Sequence, residues 1–183
     1  LIERNVPSSA FYYAFKMMGR NHPDYFVADS LSDALGRDKS SRLYVSLKKN
    51  KQLVSEINAY ITGSIDTGLL IISGKLNEQV SFQEFDTALW EEINKIKTVE
   101  LESKELDRIM IKIRTSREFQ EQGLLNRAMN LSMYELLGDA NRINDENRIY
   151  SKITTRDILK CANEILQKTN CSVLKVKADK NAR

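Results

Sequence analysis

The sequence is short of the residues that build most metal and redox sites. It contains one histidine, His22, and two cysteines, Cys161 and Cys171. A disulfide framework needs more cysteines, and a zinc site based on a histidine pair needs a second imidazole. The two cysteines also lack the Cys-x-x-Cys spacing of zinc and redox motifs. We therefore expect no metal site in this chain, two buried free thiols, and a His22 that occupies a surface turn beside Pro23.

Glycine, unbalanced charge and long apolar runs are also scarce. The seven glycines form neither a GxGxxG nor a Walker motif. The net charge is only +3, with acidic residues mixed among the basic ones, which argues against a dedicated nucleic-acid binder. No apolar run approaches the roughly 18 residues that a membrane span needs. We expect a soluble protein without a membrane span, and the sequence leaves its compartment open between cytoplasm and periplasm.

What the sequence does contain suits one domain. Its 183 residues are 42% hydrophobic and 29% charged, which is ordinary for a globular protein. Residues 1–9 are polar and include Pro7, so we predict a linker or frayed end there. A single domain is predicted over residues 10–177, followed by a charged tail at 178–183. Because the chain starts at Leu1 rather than at Met, we expect it to be a piece of a longer protein.

Apolar spacing predicts an α+β fold. Aromatic enrichment predicts a central strand at residues 10–18, covered on both faces because neither face is polar. The predicted order is strand, helix, helix, two strands, four helices, strand. Because the middle strands form a hairpin and the helices are grouped, we expect an antiparallel sheet with helices packed on one face. The other predicted strands are residues 54–63, 69–76 and 171–176, and the main helices are residues 24–35, 41–53, 81–96, 103–137 (interrupted at Gly123) and 154–166.

A tight corner between two helices organises the first half of the chain. The helix over residues 24–35 stops at Gly36, where we expect a left-handed C-cap. The segment then reads Leu35-Gly36, a short loop, Ser41-Arg42-Leu43-Tyr44 and a charged helix that ends at Leu53. This segment resembles the C-terminal-type domain of the M16 (pitrilysin or insulinase) zinc peptidases, which reads LG, loop, SRLF, helix, REKRGLAY. The hairpin and later helices follow in the family's order, so the resemblance covers nearly the whole chain.

The resemblance implies a division of labour between two domains. M16 enzymes bind zinc through His-x-x-Glu-His and a distal Glu, which a chain with one histidine cannot supply. It therefore implies a non-catalytic domain that forms part of a peptide-enclosing chamber opposite a zinc-bearing domain, in cis or in a second subunit. Zinc is expected in that partner domain, and a peptide is the expected substrate. The alternative is a structural, processing-linked M16-like subunit without peptidase activity.

Three residues are candidates for contact with substrate. The non-zinc half of M16 enzymes often supplies an arginine and, seven residues later, a tyrosine. The aligned residues here are Lys48 and Ser55, so the bidentate fork of arginine and the reach of the phenol are both lost. Arg42 is the third candidate. The structural alternatives are a solvated helix face for Lys48 and a salt bridge at the corner for Arg42.

Overall fold

One mixed sheet contains five strands, which are β1 (Ile2–Arg4), β2 (Ala10–Met17), β3 (Val54–Ile61), β4 (Gly68–Leu76) and β5 (Cys171–Ala178). Their order across the sheet is β1-β5-β2-β4-β3. The computed structural model describes residues 1–179. The outer strand β1 runs parallel to β5, and all other neighbouring strands are antiparallel. The α+β class is confirmed, with one parallel pair added at the edge of the sheet.

The helices lie against one face of this sheet. None of those within residues 1–179 is long and apolar enough to cross a membrane. A π-helix spans Tyr44–Asn50, and short 3-10 helices span Ala140–Asp145 and Lys168–Asn170. The α-helices are α1 (Tyr25–Gly36), α2 (Phe82–Thr98), α3 (Ser103–Gln120), α4 (Leu124–Leu136), α5 (Glu146–Tyr150) and α6 (Thr155–Ile165).

The central strand β2 carries the core on one face only. Phe11, Tyr13 and Phe15 are buried, whereas Tyr12 on the opposite face is 44% exposed. The ring of Phe85 on α2 lies 4.0 Å from that of Phe11, so α2 covers the buried face directly. The prediction of cover on both faces of this strand is therefore wrong. Alanine and tyrosine tolerate partial exposure, so the exposed face of β2 also has a largely apolar composition in the sequence.

The N-terminus is a strand where we expected a linker or a frayed end. Ile2 pairs with Val176 and Arg4 with Ala178, and all three side chains of β1 are exposed. Backbone hydrogen bonds therefore hold this strand, and its side chains leave no apolar pattern in the sequence. At the other end, β5 includes Ala178, the first residue of the predicted charged tail. Residues 180–183 of that tail lie outside the described residues.

Gly36 does not adopt the expected left-handed conformation. It is the last residue of α1, and the following Arg37 is still right-handed helical. The structure gives another reason for glycine: a Cβ atom here would overlap the Ala59 amide nitrogen and lie 2.7 Å from the Ala59 Cβ. Close packing of α1 on β3 therefore requires the missing side chain.

The predicted interruption at Gly123 is confirmed. Helix α3 ends at Gln120, and α4 starts at Leu124 with Gly123 as its extended N-cap. The two helices separate there, and α4 packs mainly on the 3-10 helix Ala140–Asp145. Gly138 ends this arm with φ of 108°, a conformation that favours glycine.

Candidate functional site

Within residues 1–179, no group of three or more His, Cys, Asp or Glu side chains has an arrangement that could hold a metal ion. His22 lies exposed in the turn as predicted, and its Nδ1 accepts a hydrogen bond of 3.1 Å from the Asp24 amide. Both cysteines are free thiols, but only Cys161 is fully buried. Burial raises the pKa of Cys161 to about 12 and that of Cys171 to about 11. Neither thiol is therefore poised to act as a thiolate nucleophile near neutral pH.

Arg42 is committed to an ion pair at the corner before the π-helix. Its Nε and Nη2 donate to the two carboxylate oxygens of Glu105 on α3, at 3.0 and 2.9 Å. The same loop is tied to α3 twice more, because Lys112 pairs with Asp38 and Arg108 donates to the Ser40 carbonyl at 3.2 Å. Although burial opposes it, hydrogen bonds from Lys112 and Ser40 lower the pKa of Asp38 to about 2. The corner is thus fastened to α3 by charge-assisted contacts.

Ser55 lies on the edge strand β3, and Lys48 lies on the π-helix that precedes it. The Lys48 ammonium lies 5.2 Å from the centroid of the Tyr44 ring, within the range of a cation–π contact. Ser55 is exposed and occupies a β-bulge, since the pairing with β4 skips from Val54 to Glu56. Its hydroxyl is 3.4 Å from the Lys75 carbonyl oxygen, which makes a weak hydrogen bond.

The structure does not gather the three candidates into one site. Arg42 lines a shallow hollow beside α3, between the π-helix and α2. Lys48 lines a different hollow, together with Tyr44 and Glu56. Ser55 lines neither of these two hollows. Their role in substrate contact therefore stays a prediction.

A cavity of about 200 Å³ is lined by charged side chains. It lies between α1, α3, α4 and the segment 140–150, and each element supplies part of its wall. Three arginines and four acidic residues lie at or beside it. They are Arg20, Arg37 and Arg117 and, on the acidic side, Asp29, Asp33, Glu121 and Glu146.

Each of the three arginines forms an ion pair with a carboxylate at this cavity. The Arg37 Nη1 donates to both carboxylate oxygens of Asp33 at 2.9 Å, and Arg117 forms an ion pair with Glu146. Arg20 lies 4.0 Å from Glu146 and covers the rings of Tyr25 and Tyr134 at 5.7 and 5.4 Å.

A tyrosine completes the network around the Asp29 carboxylate. The Tyr150 hydroxyl donates to Asp29 at 2.6 Å. Its ring also lies 5.9 Å from the Arg117 guanidinium. Tyr150 therefore links α5 to both α1 and α3.

Burial controls the acid–base behaviour of the cluster. Desolvation, with the neighbouring Asp29 charge, raises the pKa of Asp33 to about 7 against the opposing effect of Arg37. Desolvation also raises the pKa of Asp29 and of Glu146, although Tyr150 and Arg117 oppose it. The proton affinity of these carboxyl groups reflects their burial, as expected for a charged network away from water.

The cluster has the chemistry of a structural tie between elements. Its cations are matched by carboxylates, and no thiol or imidazole lines it. Sequence reasoning missed it because its members come from positions 20 to 150. One signal was available: Asp29 and Asp33 on α1 and its C-cap Arg37 recur every four residues, which predicts a charged stripe facing a partner.

Fold and chemistry together describe an α+β domain with no metal centre among its described residues. The sequence profile of the peptidase M16 inactive domain matches residues 1–113. The chain therefore belongs to the peptidase M16 inactive-domain family. A comparison with curated protein sequences finds no significant match.

Solved structures share the fold at low sequence identity. A protease from Helicobacter pylori superimposes with a TM-score of 0.90 at 21% identity, over 96% of this chain and 42% of that one. An M16 inactive domain from Pseudomonas fluorescens gives 0.80 at 16% identity, over 97% and 43%. A chain of complex III2 from Candida albicans gives 0.80 at 14% identity, over 96% and 44%. This chain thus spans less than half the length of these three relatives.

Proposed function

We propose that this chain is the non-catalytic domain of an M16-type zinc metallopeptidase. It forms part of a chamber that encloses a peptide opposite a zinc-bearing M16 domain, in cis or in a second subunit. The match to the M16 inactive-domain profile over residues 1–113 is the observation that carries the proposal. The charged cavity is consistent with this role, because its three arginines are paired with carboxylates of the same domain and so help to hold the fold.

In this role the domain contributes confinement to catalysis. A peptide held between two walls is presented to the metal at a high effective concentration, and the closed geometry excludes folded proteins. The zinc of the partner domain supplies an activated water for peptide hydrolysis when bound. The residues of this chain shape the enclosure and hold no part of the metal.

The experiment compares the chain with and without a zinc-bearing domain of its parent protein. Alone, the purified chain should bind no stoichiometric zinc and cleave no unfolded peptide, because it lacks the ligands. Added to the zinc-bearing domain, it should raise kcat/KM by about tenfold or more through confinement. One tightly held zinc per isolated chain, or cleavage by the chain alone, would contradict the proposal.

Lys48→Ala tests whether this wall also contacts the substrate. In the complete enzyme we expect only a slight change in turnover, because the Lys48 side chain rests on Tyr44 at the surface. Tyr44→Ala is the matched control for lost packing at the same place. A loss of about a hundredfold for Lys48→Ala alone would instead assign it a direct role in substrate binding.

The second candidate function is a structural, processing-linked subunit without peptidase activity. The likeness of the fold to a chain of complex III2 favours keeping it. The full-length gene and its neighbours discriminate the two functions. A His-x-x-Glu-His motif in either place supports the peptidase, and its absence from both supports the structural subunit.

A further inference from the structure

Helix α4 presents an apolar face that nothing in the described chain covers. Only Tyr134 is buried among its thirteen residues. The outward side chains define what we call the α4 surface. They are Leu124 (83% exposed), Leu125 (73%), Met129 (62%), Leu131 (43%) and Leu136 (69%).

The spacing of these side chains places them on one side of α4, together with the exposed Ser132 and Glu135. Leu125, Met129 and Leu136 follow one another at four and seven residues and so form a single line along the helix. Leu124, Ala128 and Leu131 form a second line beside it. Tyr134, on the opposite side of the helix, is buried against the body of the domain. A wide apolar stripe on a helix normally packs against other protein.

The extent of the surface indicates what kind of partner covers it. Its exposed area is on the order of 600 Å², the upper limit of the apolar patches found on typical monomers. Covering it with an equal area would bury about 1,200 Å² in total. This value lies within the range of interfaces between domains of one protein and at the bottom of the range for stable separate complexes.

We infer that the α4 surface docks onto the zinc-bearing M16-type domain of the parent protein. The inference rests on the proposed function, and it specifies which face of this domain meets its partner. An interface of this modest size is sufficient when a linker or a shared assembly supplies a high effective concentration. Relatives with chains more than twice as long leave room for a second domain of similar size.

Hydrogen–deuterium exchange provides the test. We expect the amides of α4 to exchange at least about tenfold more slowly in the complete protein than in the 183-residue chain, because docking removes the exposed helix from water. Helix α6, which is already packed in the core, should exchange equally in both and serves as the internal control. Unprotected α4 in a complete protein that binds zinc and cleaves peptides would overturn the docking alone. A protected α4 in a complete protein that neither binds zinc nor cleaves peptides would overturn the proposed function and the identity of the partner.

Charge substitutions provide a second readout. Met129→Lys should remove most of the protection of α4 in the complete protein and leave its zinc content unchanged. Val99→Lys is the matched control, because Val99 is also 62% exposed but lies at the end of α2. Both variants of the isolated chain should unfold at nearly the wild-type midpoint. Equal protection in the two variants would contradict the inference.

A second copy of this chain is the competing occupant. Sedimentation of the isolated chain at micromolar concentration should show a monomer. A dimer that Leu125→Lys disperses would overturn the inference by showing that the α4 surface is an interface between identical chains.

Discussion

Replacing Gly36 with alanine tests the packing of α1 on the sheet. The added Cβ would overlap the Ala59 amide nitrogen and lie 2.7 Å from the Ala59 Cβ and 2.9 Å from the Asn58 carbonyl carbon. These are atoms of β3, which is held in register with β4 by the pairs Ala59–Ile72 and Asn58–Ser73. The strand cannot yield without loss of ladder hydrogen bonds, so α1 has to move.

Two opposing effects set the magnitude. Alanine in place of glycine gains roughly 0.5–1 kcal/mol from helix propensity, because Gly36 is right-handed helical. Overpacking of a tight core contact costs typically 1–3 kcal/mol and more where the obstacle is backbone. We therefore expect a net loss of about 2 kcal/mol in the free energy of unfolding. In a domain of this size that corresponds to a fall in Tm of about 4–8 °C.

Urea unfolding followed by circular dichroism measures this change. The midpoint should fall while the m-value stays constant, since the exposed surface on unfolding is the same. Gly63→Ala is the control, because a Cβ at Gly63 meets only the Arg20 guanidinium at 3.4 Å and the Tyr25 hydroxyl at 3.8 Å. It should change the free energy by less than about 0.5 kcal/mol. A Gly36→Ala variant as stable as the control would refute the close approach of α1 to β3.

Two further predictions concern the charged cavity. Asp33 has a folded-state pKa of about 7 against an ordinary value of 3.8, so its contribution to stability is complete below about pH 4 and is lost as the pH rises through 7. The free energy of unfolding should therefore decline between pH 4.5 and 8, and Asp33→Asn should reduce this decline by at most roughly 4 kcal/mol. Urea unfolding at several pH values measures the decline, and an unchanged decline in the variant would contradict the assignment. Tyr134→Phe should leave stability unchanged or raise it by about 1 kcal/mol, because the buried hydroxyl has no hydrogen-bond partner among the described residues; a clear loss in the thermal midpoint would show that the hydroxyl is bonded.

Periodicity predicted the elements whose side chains do the packing. Helix α2 has its capping serine at Ser81, whose hydroxyl accepts from the Glu84 amide at 3.1 Å, and α6 has a complete capping box at Thr154 and Asp157. The hairpin of β3 and β4 also follows the predicted positions. In these elements local sequence and burial agree, so a pattern in the sequence is sufficient.

Features that depend on distant partners escaped prediction. Strand β1 is held by backbone pairing to β5, some 170 residues away, and buries no side chain. The charged cavity joins positions from four separate segments. Gly36 was interpreted through its own backbone freedom, whereas the reason for glycine lies in Ala59 on another element. In each case the cause is a tertiary contact that no local window contains.

The three candidate residues at the corner that carries the family resemblance differ in the contacts that they already make within the domain. Glu105 occupies the Nε and Nη2 side of the Arg42 guanidinium in a partly buried pair, so a substrate carboxylate could use that side only by displacing Glu105. Leaving that carboxylate without its partner would cost more than an exposed contact returns. Ser55 has only a short hydroxyl in a bulge. Lys48 offers a single ammonium on a flexible stem, which would bind by charge without the geometric selectivity of arginine.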